Sequence, residues 1–119
     1  MTSQTPSRFG PVPIVIIHAL AGLGIVFWLS QVISALIDGT HVWVTLGLGL
    51  ILGGAHVAIW RMTSLHSTHA IWAMWFVFVG DSVLTIFVNW HAIVLVAATV
   101  ALLLLAHMPS ARRWFTSPS

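Results

Sequence analysis

The chain has 119 residues, 59% of them hydrophobic and only 5% charged, where an ordinary soluble domain carries about 25% charged residues. So few charges cannot hold water around a core of this size, so lipid is the solvent for most of the surface and one small membrane domain is the economical organisation. The net charge of +2 leaves no basic patch for nucleic acid, and the absence of cysteine excludes disulfides, thiolate metal sites and thiol enzymes.

Met1 to Pro11 is polar and rich in Ser, Thr and Pro, which fits a short cytoplasmic tail that need not fold. An apolar run opens behind Pro11 and Pro13, where proline is tolerated because the first helical N–H groups have no intrahelical partner. It continues to Ile37, beyond the roughly 20 residues a bilayer requires and well beyond the roughly 7 to 15 of a signal-peptide core. It reads as a retained, tilted span. Asp38-Gly39-Thr40 is a turn signature, since Asp and Gly accept the backbone angles of a tight reversal. A second run follows at once from Val42 to Trp60.

Arg61 to Thr68 is polar, and His69 to Val88 forms a third run. Asn89-Trp90-His91 is the only break before a fourth. The fourth run, Ala92 to Ala106, is short for a hydrocarbon core of about 30 Å at about 1.5 Å per residue. Its ending at Pro109 with Arg112, Arg113 and Trp114 just behind favours a crossing, because Trp and Arg anchor helix ends at an interface. A re-entrant segment is the alternative. Residues 109–119 read as a second cytoplasmic tail.

The expected architecture is therefore an all-α integral membrane bundle of four transmembrane helices, up-down-up-down, occupying residues 12–108, with spans near 12–37, 42–60, 69–88 and 92–107. In that arrangement all four arginines, Arg8, Arg61, Arg112 and Arg113, fall on one side and none on the other, which puts both ends of the chain in the cytoplasm. Six of the seven tryptophans fit interfacial belts: Trp43 and Trp90 outside, Trp60, Trp72, Trp75 and Trp114 inside. Trp28 lies deeper. The ending, a leucine run followed by Pro-Ser-Ala-Arg-Arg-Trp-Phe, is similar to the close of many small bacterial four-span proteins. The likeness covers that stretch alone, implies a bacterial cell membrane and carries no function.

Asp81 is the residue that most needs a reason, because a charge near the centre of a span costs about 2.5 to 3.5 kcal/mol on insertion scales. It should face the helix interior or a wet cavity. Either it is a proton or cation site, or it is a hydrogen-bonded aspartate that joins helices. Thr85 is the one hydroxyl a helical turn away on its face. His18 and His56 each lie about one and a half turns from the cytoplasmic end of their spans, so they could meet. With Gly22 near one and Gly49 and Gly53 near the other, such a pair would suit the axial ligands of haem b, which needs two imidazoles at one depth and room for the macrocycle. The plainer reading is helix packing, since Gly49 and Gly53 form a Gly-x-x-x-Gly motif and a histidine beside it can bond across the interface.

An access route for protons would run past His18 and His56 to Asp81 and outward past Thr85 toward Ser30, Gln31 and Ser34. His66, His69 and His107 are weak metal candidates, for they share a side but have no carboxylate or thiol nearby, and interfacial loop histidines are common. His41 and His91 follow the two outer turns and could form a pH-sensitive contact. Phosphate-binding glycine loops, nucleophile elbows and paired carboxylates are missing, and the loops are too short for a soluble active site. The expectation for function is a non-enzymatic membrane subunit, surrounded by the lipid bilayer, that packs in a homo-oligomer or with other membrane subunits. Transport centred on Asp81 and a haem module on His18 and His56 are the alternatives.

Overall fold

The computed structural model of the protein describes residues 10–87 and 90–117. Arg8, most of the N-terminal tail, the expected end of the third span at Val88, Asn89 of the outer turn and residues 118–119 lie outside the described residues. Helix α1 runs Val12–Asp38, α2 Val42–Leu48, α3 Gly54–Ser64, α4 His69–Phe87, α5 Ile93–Ala106 and α6 Pro109–Thr116. Between α2 and α3, Gly49–Gly53 winds as a π-turn without ending the rod, and a 3-10 turn, Trp90–Ala92, leads into α5. The described residues contain no strand.

The ends of the rods follow from local chemistry. Pro11 is extended at the N-cap of α1 and Pro13 sits in its first turn, where neither lacks a hydrogen bond. Gly39 ends α1 in the left-handed region (φ 69°), and its N–H donates to the Ala35 carbonyl at 2.8 Å. The second rod differs from expectation: it continues through Arg61 to Ser64, a full turn past Trp60. It stops in a Schellman arrangement, Ser67 N–H donating to Met62 O at 2.8 Å and His66 N–H to Thr63 O at 3.2 Å, with His66 in the left-handed position (φ 58°) that glycine usually takes.

Three helices are long and apolar enough to cross a membrane: Val12–Asp38, Val42–Ser64 and His69–Phe87. Trp90–Ala106 and Pro109–Thr116 qualify only together and are bent by 73° where they meet, so the described residues hold three candidate spans, or four if the bent pair is one. Length and composition are the basis of that count. Residues 109–116, expected as part of a tail, instead form a helix that buries Ala111 and Phe115 and lies against α1 and α5. Trp114, expected as a lipid anchor, turns inward and donates its Nε1–H to Thr63 O at 2.8 Å, whereas Trp43, Trp60, Trp72, Trp75 and Trp90 are exposed as a belt requires.

Helix α3 packs on both α1 and α4, and α5 packs on both α4 and α1. Close approach depends on glycine. A Cβ on Gly49 would come within 2.5 Å of Val32, one on Gly53 within 3.2 Å of Trp28, and one on Gly80 within 2.7 Å of Leu52. The main core, which includes Ile14, Ile17, Ile59, Met74, Leu102 and Phe115, fills the end that carries Arg61, Arg112 and Arg113. A second and much smaller cluster of Trp28, Leu52 and Leu84 lies toward the turns at the other end. Asp81 sits between the two.

Candidate functional site

Asp81 is 1% exposed, although no lysine or arginine bonds to it among the described residues. Helix α4 turns it inward in register with Met74, Val77 and Leu84, all buried. Its Oδ2 accepts a hydrogen bond from Thr99 Oγ1 on α5 at 2.8 Å. Its Oδ1 is buried with no hydrogen-bond partner among the described residues. Thr99 Oγ1 also lies 2.9 Å from Leu95 O on its own helix, so its one hydroxyl proton serves two acceptors. An unmade hydrogen bond on a buried group costs about 1 to 3 kcal/mol, which makes Oδ1 a standing demand for a proton or a donor.

His56 shares the inner cavity with Asp81, a space of about 180 Å³ lined chiefly by Leu20, Leu23, Phe27, Leu95 and Leu102. Its Nδ1 is 2.8 Å from Leu52 O. A carbonyl can only accept, so Nδ1 is the nitrogen that carries a proton here. Gly24 positions the ring, because a Cβ at that place would fall inside the imidazole. The result is a carboxyl, an imidazole and a hydroxyl around one small cavity whose other walls are apolar.

An outer vestibule of about 480 Å³ adjoins this cavity, and Phe27 and Leu95 line both. Trp28, Gln31, Thr45, Leu84 and His91 contribute to its walls. Trp28 is 6% exposed and its Nε1–H is buried without a partner among the described residues. The vestibule lies away from the arginines, on the side of the turns that follow α1 and precede α5.

Several expected partners do not meet. His18 donates from Nδ1 to Ile14 O at 3.0 Å, has Nε2 3.0 Å from Ser64 Oγ, and stands edge-on to Trp60 with ring centres 5.0 Å apart. His56 instead abuts Gly24, six residues further along α1, which is about 9 Å at 1.5 Å per residue. The two imidazoles therefore do not form the facing pair a haem would need. The reason is the extra turn of α3, which pushes His56 deeper than a helix ending at Trp60 would.

Thr85 also departs from expectation: its Oγ1 donates to the Asp81 backbone carbonyl at 2.8 Å and not to the carboxylate. Ser30 and Ser34 are exposed, Ser30 bonding to Phe27 O at 2.7 Å, so Gln31 alone of that trio borders a cavity.

Among the described residues no three His, Asp or Glu side chains form a metal-sized group. His66 Nδ1 bonds Ser117 Oγ at 2.9 Å and its ring stacks on Trp114 at 3.7 Å. His69 Nδ1 bonds Ser67 Oγ at 3.1 Å and His107 Nδ1 donates to Leu103 O at 2.7 Å. These three histidines serve local structure at a helix end. His91 borders the vestibule with its ring against Trp90 at 3.9 Å, and His41 does not line it. Gly22 is close to Trp60 (3.1 Å from a built Cβ), so with Gly49 and Gly53 it packs helices inside one chain.

Thr99 and Gly24 escaped the sequence reading. Thr99 is the sole polar side chain between Ala92 and Ala106, a signal visible in hindsight; Gly24 is one of two glycines in α1, with Gly22, and nothing in the sequence singles it out. Comparison with family models finds no match, and comparisons with curated proteins and with solved structures find none either.

Proposed function

We propose that this chain is a bacterial cell-membrane protein of four spans, up-down-up-down with both ends in the cytoplasm, in which Asp81, beside His56, binds and releases a proton. It acts without enzymatic activity of its own, as a subunit of a homo-oligomer or of a larger membrane complex. The observation that carries the reading is the Asp81 carboxyl, buried among apolar side chains with one oxygen unpartnered and a histidine on the same cavity. Intramembrane carboxyls that face the protein interior are found on proton and ion pathways. The topology is supported by the grouping of Arg61 with Arg112 and Arg113, since Trp114 ties α6 to the end of α3.

The chemistry favours a proton over an inorganic cation. The side-chain oxygens on the inner cavity are those of Asp81 and Thr99, whereas hard cations such as Ca²⁺ and Mg²⁺ take about six or more oxygens, many of them carboxylates or waters. A proton needs one lone pair. The subunit part of the reading is favoured by the dense core beyond His56, which leaves a proton entering from the open end no exit through this chain alone.

Infrared difference spectra between acid and neutral pH, recorded in lipid nanodiscs, test the proposal. Asp38 is the one other acidic side chain. The expected result is a carboxyl band that Asp81→Asn deletes and Asp38→Asn leaves. A spectrum in which Asp81→Asn changes nothing would refute the reading.

A further inference from the structure

The inner cavity and the vestibule occupy successive turns of the same helices. On α1, Gly24 borders the first and Gln31 the second; on α4, Asp81 is followed by Leu84; on α5, Thr99 is followed toward the turn by Leu95. Phe27 stands at the junction, half-buried and shared. A molecule in the vestibule is thus about one helical turn, roughly 5 Å, from the Asp81 carboxyl.

We propose that the vestibule binds a small lipophilic ammonium ion, an organic amine with a positive charge and an apolar body, with Asp81 as its counter-ion. The inference rests on the reading of Asp81 as a proton-exchanging carboxyl and adds a ligand that competes with the proton. Four observations converge on this chemistry. The space, about 480 Å³, falls within the roughly 300 to 1,000 Å³ of small-molecule pockets. Two aromatic residues, Phe27 and Trp28, line it, and aromatic faces attract cations, most strongly where water is excluded. Asp81 lies just beyond the vestibule, on the adjoining cavity, and neither cavity has a lysine or arginine on its walls. Finally, Asp81 Oδ1 is buried and unpartnered among the described residues.

A neutral apolar molecule would fill the vestibule and leave the carboxyl oxygen unsatisfied. An inorganic cation would have to exchange its water for aromatic and aliphatic walls. An alkylated ammonium is weakly hydrated and loses little on entering, while its charge answers Asp81. Ligand and proton then exclude one another, because one carboxylate cannot serve both. The titratable groups facing Asp81 from the packed elements are His56 on α3 and, one cavity outward, His91; α1 and α5 bring none to either cavity.

The probe is benzyltrimethylammonium, whose charge is independent of pH, measured by equilibrium dialysis against the protein in nanodiscs, with neopentylbenzene as its neutral isostere. Saturable binding is expected at neutral pH, at least tenfold weaker at a pH where the Asp81 infrared band reports protonation, and absent in Asp81→Asn. Neopentylbenzene should not displace it. Ala92→Leu, which narrows the vestibule, should weaken binding and leave the Asp81 band unchanged; this guards against misfolding of the aspartate variant. No binding, or equal binding to the parent and to Asp81→Asn, overturns the inference. If the Asp81 band titrates while no ammonium binds, the ligand proposal fails and the proton reading stands. If the band itself is missing, both fall.

Discussion

The two halves of the molecule solve different problems with the same kind of helix. At the arginine end, α1, α3, α4, α5 and α6 converge on a continuous core in which Ile14, Ile17, Ile59 and Met74 are fully buried. At the turn end, the described residues form only a small buried cluster around Trp28, Leu52 and Leu84, and space beside it stays open as the vestibule. Lipid tails are as apolar as leucine, so these helices gain nothing from hiding apolar surface and associate through close packing and hydrogen bonds. Tight packing at one end can hold the fold while the other remains loose enough to admit a guest.

That contrast can be broken by substitution. Ile17→Ala empties the dense half, and a buried aliphatic cut to alanine costs about 2 to 4 kcal/mol where the site cannot collapse. Leu48→Ala, beside the vestibule, enlarges a space that already exists and should cost less than about 1 kcal/mol. Thermal unfolding in detergent measures both, and equal losses would mean the halves do not differ in packing. Gly24→Ala comes next, because its methyl must displace the His56 ring at the boundary of the halves. A destabilisation of about 1 to 3 kcal/mol is expected from overpacking, with loss of the histidine's influence on the Asp81 infrared band. An unchanged band would show that His56 stands apart from the carboxyl. Thr99→Val removes one interhelical hydrogen bond at a cost of about 0.6 to 1.7 kcal/mol in a membrane. It sharpens the comparison, since the carboxyl band should shift while the unfolding temperature falls less than in Ile17→Ala.

Much of the scaffold was legible in the residues. Pro11, Pro13 and Asp38-Gly39 bracket α1 where the structure puts its ends, and the inward face of Asp81 follows from the cost of showing a carboxyl to lipid. The end of α3 was not legible, because Arg61 looks like a stop in a hydropathy reading. Its long side chain can instead reach outward while the helix continues, and the true terminator is a histidine in a glycine's conformation. That one-turn difference separated His18 from His56 and set aside the haem geometry. Thr99 was hidden by its apolar neighbours, and α6 by its brevity: eight residues with two arginines read as a tail until Phe115 and Trp114 find α1 and α3 to pack on.

The π-turn at Gly49–Gly53 has a consequence for descent. Such a turn accommodates one residue more than an α-helix of the same rise would use, and each residue turns a helix by about 100°. Everything before it, including Thr45 and Leu48 on the vestibule wall, is rotated relative to everything after it, including His56. Deleting a single codon within that stretch would let the rod close into a plain α-helix and swing one set of side chains a quarter-turn or more away from the other. A lineage that gained or lost this one triplet would keep its hydropathy profile and its helix count, yet exchange the lining of its outer chamber in a single genetic event.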